Sequence, residues 1–90
     1  MVKIFPCGPI GGPKYIRALR GPLPEIDLVP TGGITRETVA EFITAGVAAL
    51  GVGGQLLAPR GFDEAGLELI RANTSALLAT VRAARAALNR

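Results

Sequence analysis

Three short apolar runs, VKIF at 2–5, IDLVPT at 26–31 and AALGV at 48–52, alternate with stretches of helical periodicity. This alternation constrains the fold more than any other feature of the chain. A strand, a helix and a second strand of the same sheet make a parallel pair joined by a right-handed crossover. Runs this apolar fit strands covered on both faces, as parallel strands are. The pattern predicts an α/β domain of three βα units over 1–90, a piece of a barrel or of a doubly wound sheet, with its helices outside the parallel strands.

Helix boundaries follow from local chemistry. Pro13 suits a first helical position and Gly21-Pro22 stops the helix, the usual asymmetry of proline at the start and glycine past the end. Ile16 and Leu19 supply its inner face, while Lys14, Arg17 and Arg20 recur on a wet one. Thr35 is a good N-cap for the second helix. Val39, Phe42 and Ile43 form its apolar stripe, and Gly46 closes it in the left-handed position. Asp63 can cap a helix running to about Arg71. Asn73-Thr74-Ser75 is a second capping signal, which predicts a break and a terminal helix over 75–88. One continuous helix is the alternative.

Composition narrows the chemistry. Ninety residues hold at most one domain, burying about two-thirds of the surface of the unfolded chain. The apolar fraction of 49% is too high for a disordered chain. No apolar run approaches the ~20 residues of a membrane span, and no signal-peptide pattern opens the chain. With one cysteine and no histidine, an internal disulfide, a Cys/His zinc site and a histidine-based triad are all excluded. No metal and no cofactor are expected, and the expected address is the cytoplasm. The net charge is +3, much of it from Arg71, Arg82, Arg85 and Arg90 at helical spacing, which reads as a solvated helix face. Without interleaved aromatic residues it does not read as a nucleic-acid surface.

Two glycine pairs stand at strand ends. Gly32-Gly33 in TGGIT precedes a helix, and Gly53-Gly54 in GVGGQ repeats the arrangement on the next strand. Ligands of parallel sheets bind at carboxyl ends of strands, and glycine lets an anion approach the backbone closely. The two pairs predict a phosphate site, to which a short helix near 63–71 could contribute. Lys3 poses a separate question. On an alternating strand it shares a face with Phe5. It is either a terminal lysine that snorkels to water or an amine inside a barrel, where desolvation favours the neutral form that attacks carbonyl carbon. Cys7 reads as a small filler residue, with a nucleophile as the alternative.

KIFP, then PTGGIT, then GVGG followed by a Leu-Leu-x-Pro segment resembles the carboxyl-terminal part of the 2-keto-3-deoxy-6-phosphogluconate (KDPG) and 4-hydroxy-2-oxoglutarate (KHG) aldolases. The resemblance runs over nearly all of the chain. It implies the last three βα units of a (β/α)8 barrel, with five strands preceding Met1 elsewhere. It implies a trimeric lyase that cleaves a 2-keto-3-deoxy sugar acid to pyruvate and an aldehyde through a lysine Schiff base. On this resemblance Lys3 is the Schiff-base lysine, Phe5 and Thr31 contact substrate, and Gly32, Gly33, Gly53 and Gly54 hold phosphate. Three departures accompany it. The general-base glutamate and carboxylate-binding arginine fall outside the chain, Gly8 replaces a usual glutamate, and Gln55 replaces a usual serine that contacts phosphate, so Gln55 is expected to donate its amide to the phosphate, with weaker binding.

The expected partners are a keto acid such as pyruvate, a phosphorylated sugar acid, and further copies of the chain or the rest of the barrel. The rival expectation is a non-catalytic half-barrel fragment that binds phosphate or self-associates. Neither nucleic acid nor membrane is expected.

Overall fold

Val2–Ile4 (β1) and Leu28–Pro30 (β2) lie side by side in parallel, with Val2 opposite Leu28, Lys3 opposite Val29 and Ile4 opposite Pro30. The computed structural model describes residues 1–54, 56 and 62–88. Alternation assigns the faces. Leu28 and Pro30 are buried under the helices, whereas Lys3 and Val29 occupy the opposite, open face. Hydrogen bonds extend the pairing beyond the strands, from Thr31 N to Ile4 O (2.9 Å), from Cys7 N to Thr31 O (2.8 Å) and from Gly8 N to Gly32 O (3.1 Å).

The crossover helix is Pro13–Arg20 (α1), with proline at its start as the sequence predicts. It buries Ile16 completely. Arg20 departs from its expected wet position. Its side chain lies over Gly46, where an added Cβ would come within 2.7 Å of Arg20 Nε.

The second helix, Val39–Thr44 (α2), buries Val39, Phe42 and Ile43, the predicted stripe. Its N-cap is Thr38, without a side-chain capping bond, so the expected cap at Thr35 falls one turn too early, and Thr35 and Thr38 instead tie the turn that leads into the helix. Thr35 N donates to Thr38 Oγ1 (2.9 Å), Thr38 N donates to Thr35 Oγ1 (3.2 Å), and the Thr38 hydroxyl reaches Gly33 O (3.1 Å). Gly46 follows at φ +92°, the left-handed position expected of it.

Two further expectations fail. The segment 48–52 is not a strand and makes only one bridge to its neighbour, between Thr31 and Gly51. Its ladder is out of step. Ala48 N donates to Leu28 O (3.0 Å) and Gly51 N to Pro30 O (2.9 Å), so donors three residues apart meet acceptors two residues apart. One residue is surplus, as in a bulge, and regular pairing cannot propagate.

The helix break at 73–75 is also absent. Glu64–Leu88 (α3) is one helix of 25 residues, about 37 Å long at the usual rise. The Thr74 hydroxyl donates to Ile70 O (2.8 Å), as Thr80 does to Ala76 O (3.0 Å), so a residue that could cap a new helix is satisfied within the existing one. No separate short helix over 63–71 exists to assist an anion site. Asp63 does cap as expected, its Oδ1 accepting from Gly66 N (2.7 Å).

α3 packs on α2 and closes the core, which comprises Cys7, Ile16, Leu28, Ile34, Val39, Phe42, Ile43, Ala45, Val47 and Leu77. The helix outruns this core. The radius of gyration is 14.0 Å, against about 12 Å for a compact chain of this length.

Candidate functional site

Beyond β2 the chain turns through Thr31, Gly32 and Gly33, and beyond the bridge at Gly51 it turns through Gly53 and Gly54. These two turns enclose a cleft of about 210 Å³ lined by Gly32, Gly33, Ile34, Gly51, Val52, Gly53 and Gly54. Both predicted glycine pairs therefore meet at one place. Among the described residues no charged side chain lines the cleft, and the polar character they give it comes from backbone amides and carbonyls. Gln55 lies outside the described residues.

The two pairs are glycine for different reasons. Gly32 and Gly33 have φ of +90° and +78°, where other residues are strained. A Cβ on Gly33 would lie 2.7 Å from Gly8 Cα, so the turn after β1 and the turn after β2 touch backbone to backbone. The sequence reading assigns Gly33 to leave room for a phosphate. The structure gives it a different neighbour, because the space a Cβ would take is already held by Gly8.

Gly53 and Gly54 contrast with this. Both are exposed, neither has a positive φ, and among the described residues a Cβ on either would meet nothing within 4 Å. The fold itself makes no demand for glycine there. What those positions offer is open room on one wall of the cleft.

Lys3 and Phe5 stand on the open face of β1 and just beyond it. Lys3 Nζ is 5.2 Å from the centroid of the Phe5 ring, a cation–π contact between residues two apart on one face. Both are exposed, Phe5 to 65%. The ring also reaches the glycine turn, with Cδ1 3.7 Å from where a Gly32 Cβ would sit. Lys3, Phe5 and the cleft thus form a continuous surface at one end of the sheet. Thr31 is half-buried between them.

Cys7 is fully buried, and its Sγ lies 3.8 Å from Gly12 O. Burial pushes its thiol up from the ordinary range, which favours the unreactive protonated form and the filler reading. Gly51, Ile34 and Val52 line the cleft but carry no motif of their own. A glycine inside an apolar run is a signal of close approach, and Gly51 carries that signal. Among the described residues no helix is long and apolar enough to cross a membrane.

The model of the KDPG and KHG aldolase family matches residues 1–72. The chain is 45% identical over 56 residues to the 2-dehydro-3-deoxy-6-phosphogalactonate aldolase of Escherichia coli (strain K12), a match covering 61% of this chain and 27% of that protein. It is 41% identical over 64 residues to the 2-dehydro-3-deoxy-phosphogluconate aldolase of Pseudoalteromonas atlantica, covering 71% of this chain and 29% of that one. Among solved structures, one described as native KDPGal superimposes on 91% of this chain and 38% of its own with a TM-score of 0.78 at 35% identity. A designed cube-shaped protein cage made by fusing symmetric oligomeric domains gives 0.80 at 32% identity, covering 97% of this chain and 31% of its own. The chain spans less than a third of the length of these two curated relatives. A family match over most of the chain, joined to backbone likeness at this level of identity, establishes that the chain belongs to the KDPG and KHG aldolase family.

Proposed function

We propose that residues 1–90 are one domain, the last three βα units of a (β/α)8 barrel, and that they carry the amine and anion site of a class I aldolase. The observation that carries this reading is the position of Lys3, on the open sheet face and joined through Phe5 to the glycine cleft. In the proposed reaction the Lys3 amine adds to the keto carbon of a 2-keto-3-deoxy-6-phospho sugar acid or of 4-hydroxy-2-oxoglutarate. Water leaves and an iminium forms. The 4-hydroxyl loses its proton as the C3–C4 bond breaks, and the iminium accepts the electron pair to become an enamine. An aldehyde departs, C3 of the enamine takes a proton to re-form an iminium, and hydrolysis releases pyruvate and the amine. Phe5 and Thr31 border the keto acid, and Gly32, Gly33, Gly53 and Gly54 border the phosphate. Among the described residues no carboxylate lines the cleft, so the proposed proton transfers call on a general base outside these lining residues. Such a base contributes roughly 10²–10⁴-fold, and the chain by itself is a weak catalyst. The setting we infer is cytoplasmic.

Pyruvate with borohydride tests the lysine. Reduction traps an imine as a stable secondary amine, which mass spectrometry assigns to a residue. Lys14, exposed on α1, is the internal reference. Lys3 should be labelled in excess of Lys14, and Lys3→Ala should abolish that excess. Equal labelling of the two lysines refutes the assignment.

The cleft has its own test. Gly53→Ala and Gly54→Ala place a methyl group in open space, so stability should stay within about 0.5 kcal/mol of the parent. Phosphate affinity should fall, because that space is the proposed seat of the anion. Unchanged phosphate titrations in both variants would count against the anion site.

A second reading, self-association of a half-barrel, draws on the outer surfaces. An apolar groove of about 400 Å³ lies between residues 48–52 with Leu56 on one side and α3 on the other, lined in part by Leu50, Val52, Leu56, Leu77 and Val81. Exposed Phe5, Leu67 and Leu78 add to the uncovered apolar surface. Surface of this kind favours pairing with further copies or with the rest of a barrel.

A further inference from the structure

Gly51 has no backbone reason to be glycine, since its φ is not among the positive values of this chain. It has a side-chain reason. A Cβ built on it would run into the Thr31 hydroxyl, and would lie 3.1 Å from both Thr31 Cβ and Cγ2. Thr31 and Gly51 are bridge partners on adjacent segments, so their side chains would share one face of the sheet. The Thr31 side chain leans across into the place that Gly51 leaves vacant. Gly51 also lines the cleft, so the Thr31 hydroxyl stands against one of the cleft's lining residues.

We propose that Gly51 is a positioning residue, which by lacking a side chain places the Thr31 hydroxyl where it donates a hydrogen bond to an oxyanion bound in the cleft. This deepens the anion reading of the site and rests on it. The hydroxyl supplies what the glycine walls lack, a side-chain donor of fixed direction. Any residue at 51 that carries a Cβ displaces the donor, and the bound anion loses that bond. Hydrogen bonds to charged groups are strong enough that losing one weakens binding by about ten-fold or more.

Inorganic phosphate is the probe, titrated against the parent, Gly51→Ala, Thr31→Val and the double variant. Gly51→Ala and Thr31→Val should each bind phosphate about ten-fold more weakly. The double variant should be no weaker than Thr31→Val alone, because Gly51 acts through Thr31. Parent-like affinity in Gly51→Ala overturns the proposal, as does full additivity in the double variant. Scalar couplings that report the Thr31 χ1 rotamer provide a readout independent of binding. The rotamer should change in Gly51→Ala, and an unchanged rotamer overturns the contact. Where Gly51→Ala fails to fold, Gly51→Ala combined with Thr31→Gly should restore folding, and continued failure overturns the contact. A parent that binds no phosphate refutes the anion reading, and with it the role of the hydroxyl, while the couplings still decide whether Gly51 sets Thr31.

Discussion

Phe42→Ala is expected to remove about 3–5 kcal/mol of stability, the cost of deleting a large aromatic ring from a closed core. The ring is fully buried and belongs to the same cluster as Ile16, Leu28, Val39 and Ile43. Its tip lies under the loop before α1, 3.9 Å from where a Gly12 Cβ would sit. A chain of this length has a total stability of about 5–13 kcal/mol, so the loss is a large share of it. With only 4% aromatic residues, little else can fill the space. Urea unfolding followed by far-UV circular dichroism measures the change. Phe42→Leu should cost much less, since it keeps most of the volume. A loss below about 1 kcal/mol in Phe42→Ala would show that the ring is not enclosed as described.

Gly33→Val should cost about 2–6 kcal/mol, from two additive causes. A β-branched residue at φ +78° is strained by about 1–3 kcal/mol. Its Cβ also meets Gly8 Cα at 2.7 Å and Gly8 N at 3.2 Å, backbone atoms that can yield only by moving the turn. Overpacking of this kind adds about 1–3 kcal/mol. Thermal melts of Gly33→Val and Gly54→Ala, run in parallel, separate the two kinds of glycine. A large fall in the first with none in the second is the expected pattern. Equal falls would mean that the turns are not packed as the structure has them. The contrast also guards the functional experiments, because lost phosphate binding in a Gly33 variant reports the turn before it reports the ligand.

The elements set by local chemistry were legible from residues alone. Pro13 opens α1, Gly46 takes the left-handed position after α2, and Asp63 caps α3. The stripe of Val39, Phe42 and Ile43 names the buried face of its helix. The family was legible too, from the spacing of KIFP and PTGGIT. What failed depends on partners distant in the chain or on competition between local bonds. An apolar run such as AALGV reveals burial but not register, and one surplus residue between Ala48 and Gly51 disrupts the ladder. Asn73-Thr74-Ser75 carries the chemistry of a cap, yet Thr74 spends its hydroxyl on Ile70 O inside an uninterrupted helix. At the cleft, the pairing of the two glycine turns was foreseen. The contact of Gly33 with Gly8 was not, because it requires two loops 25 positions apart, 33 − 8, to be folded together.

The unequal glycines of the cleft give it one rigid jaw and one adjustable jaw. Gly32 and Gly33 are locked by torsion and by Gly8, so random substitution there is removed by selection for folding before any effect on ligand choice is felt. Gly53 and Gly54 are under no such veto. Variation can accumulate at those two positions at almost no structural cost, and each added methyl narrows the opening directly. If the cleft is the proposed anion site, the route to a new ligand preference runs through residues 53 and 54, and a directed-evolution library is best confined to them.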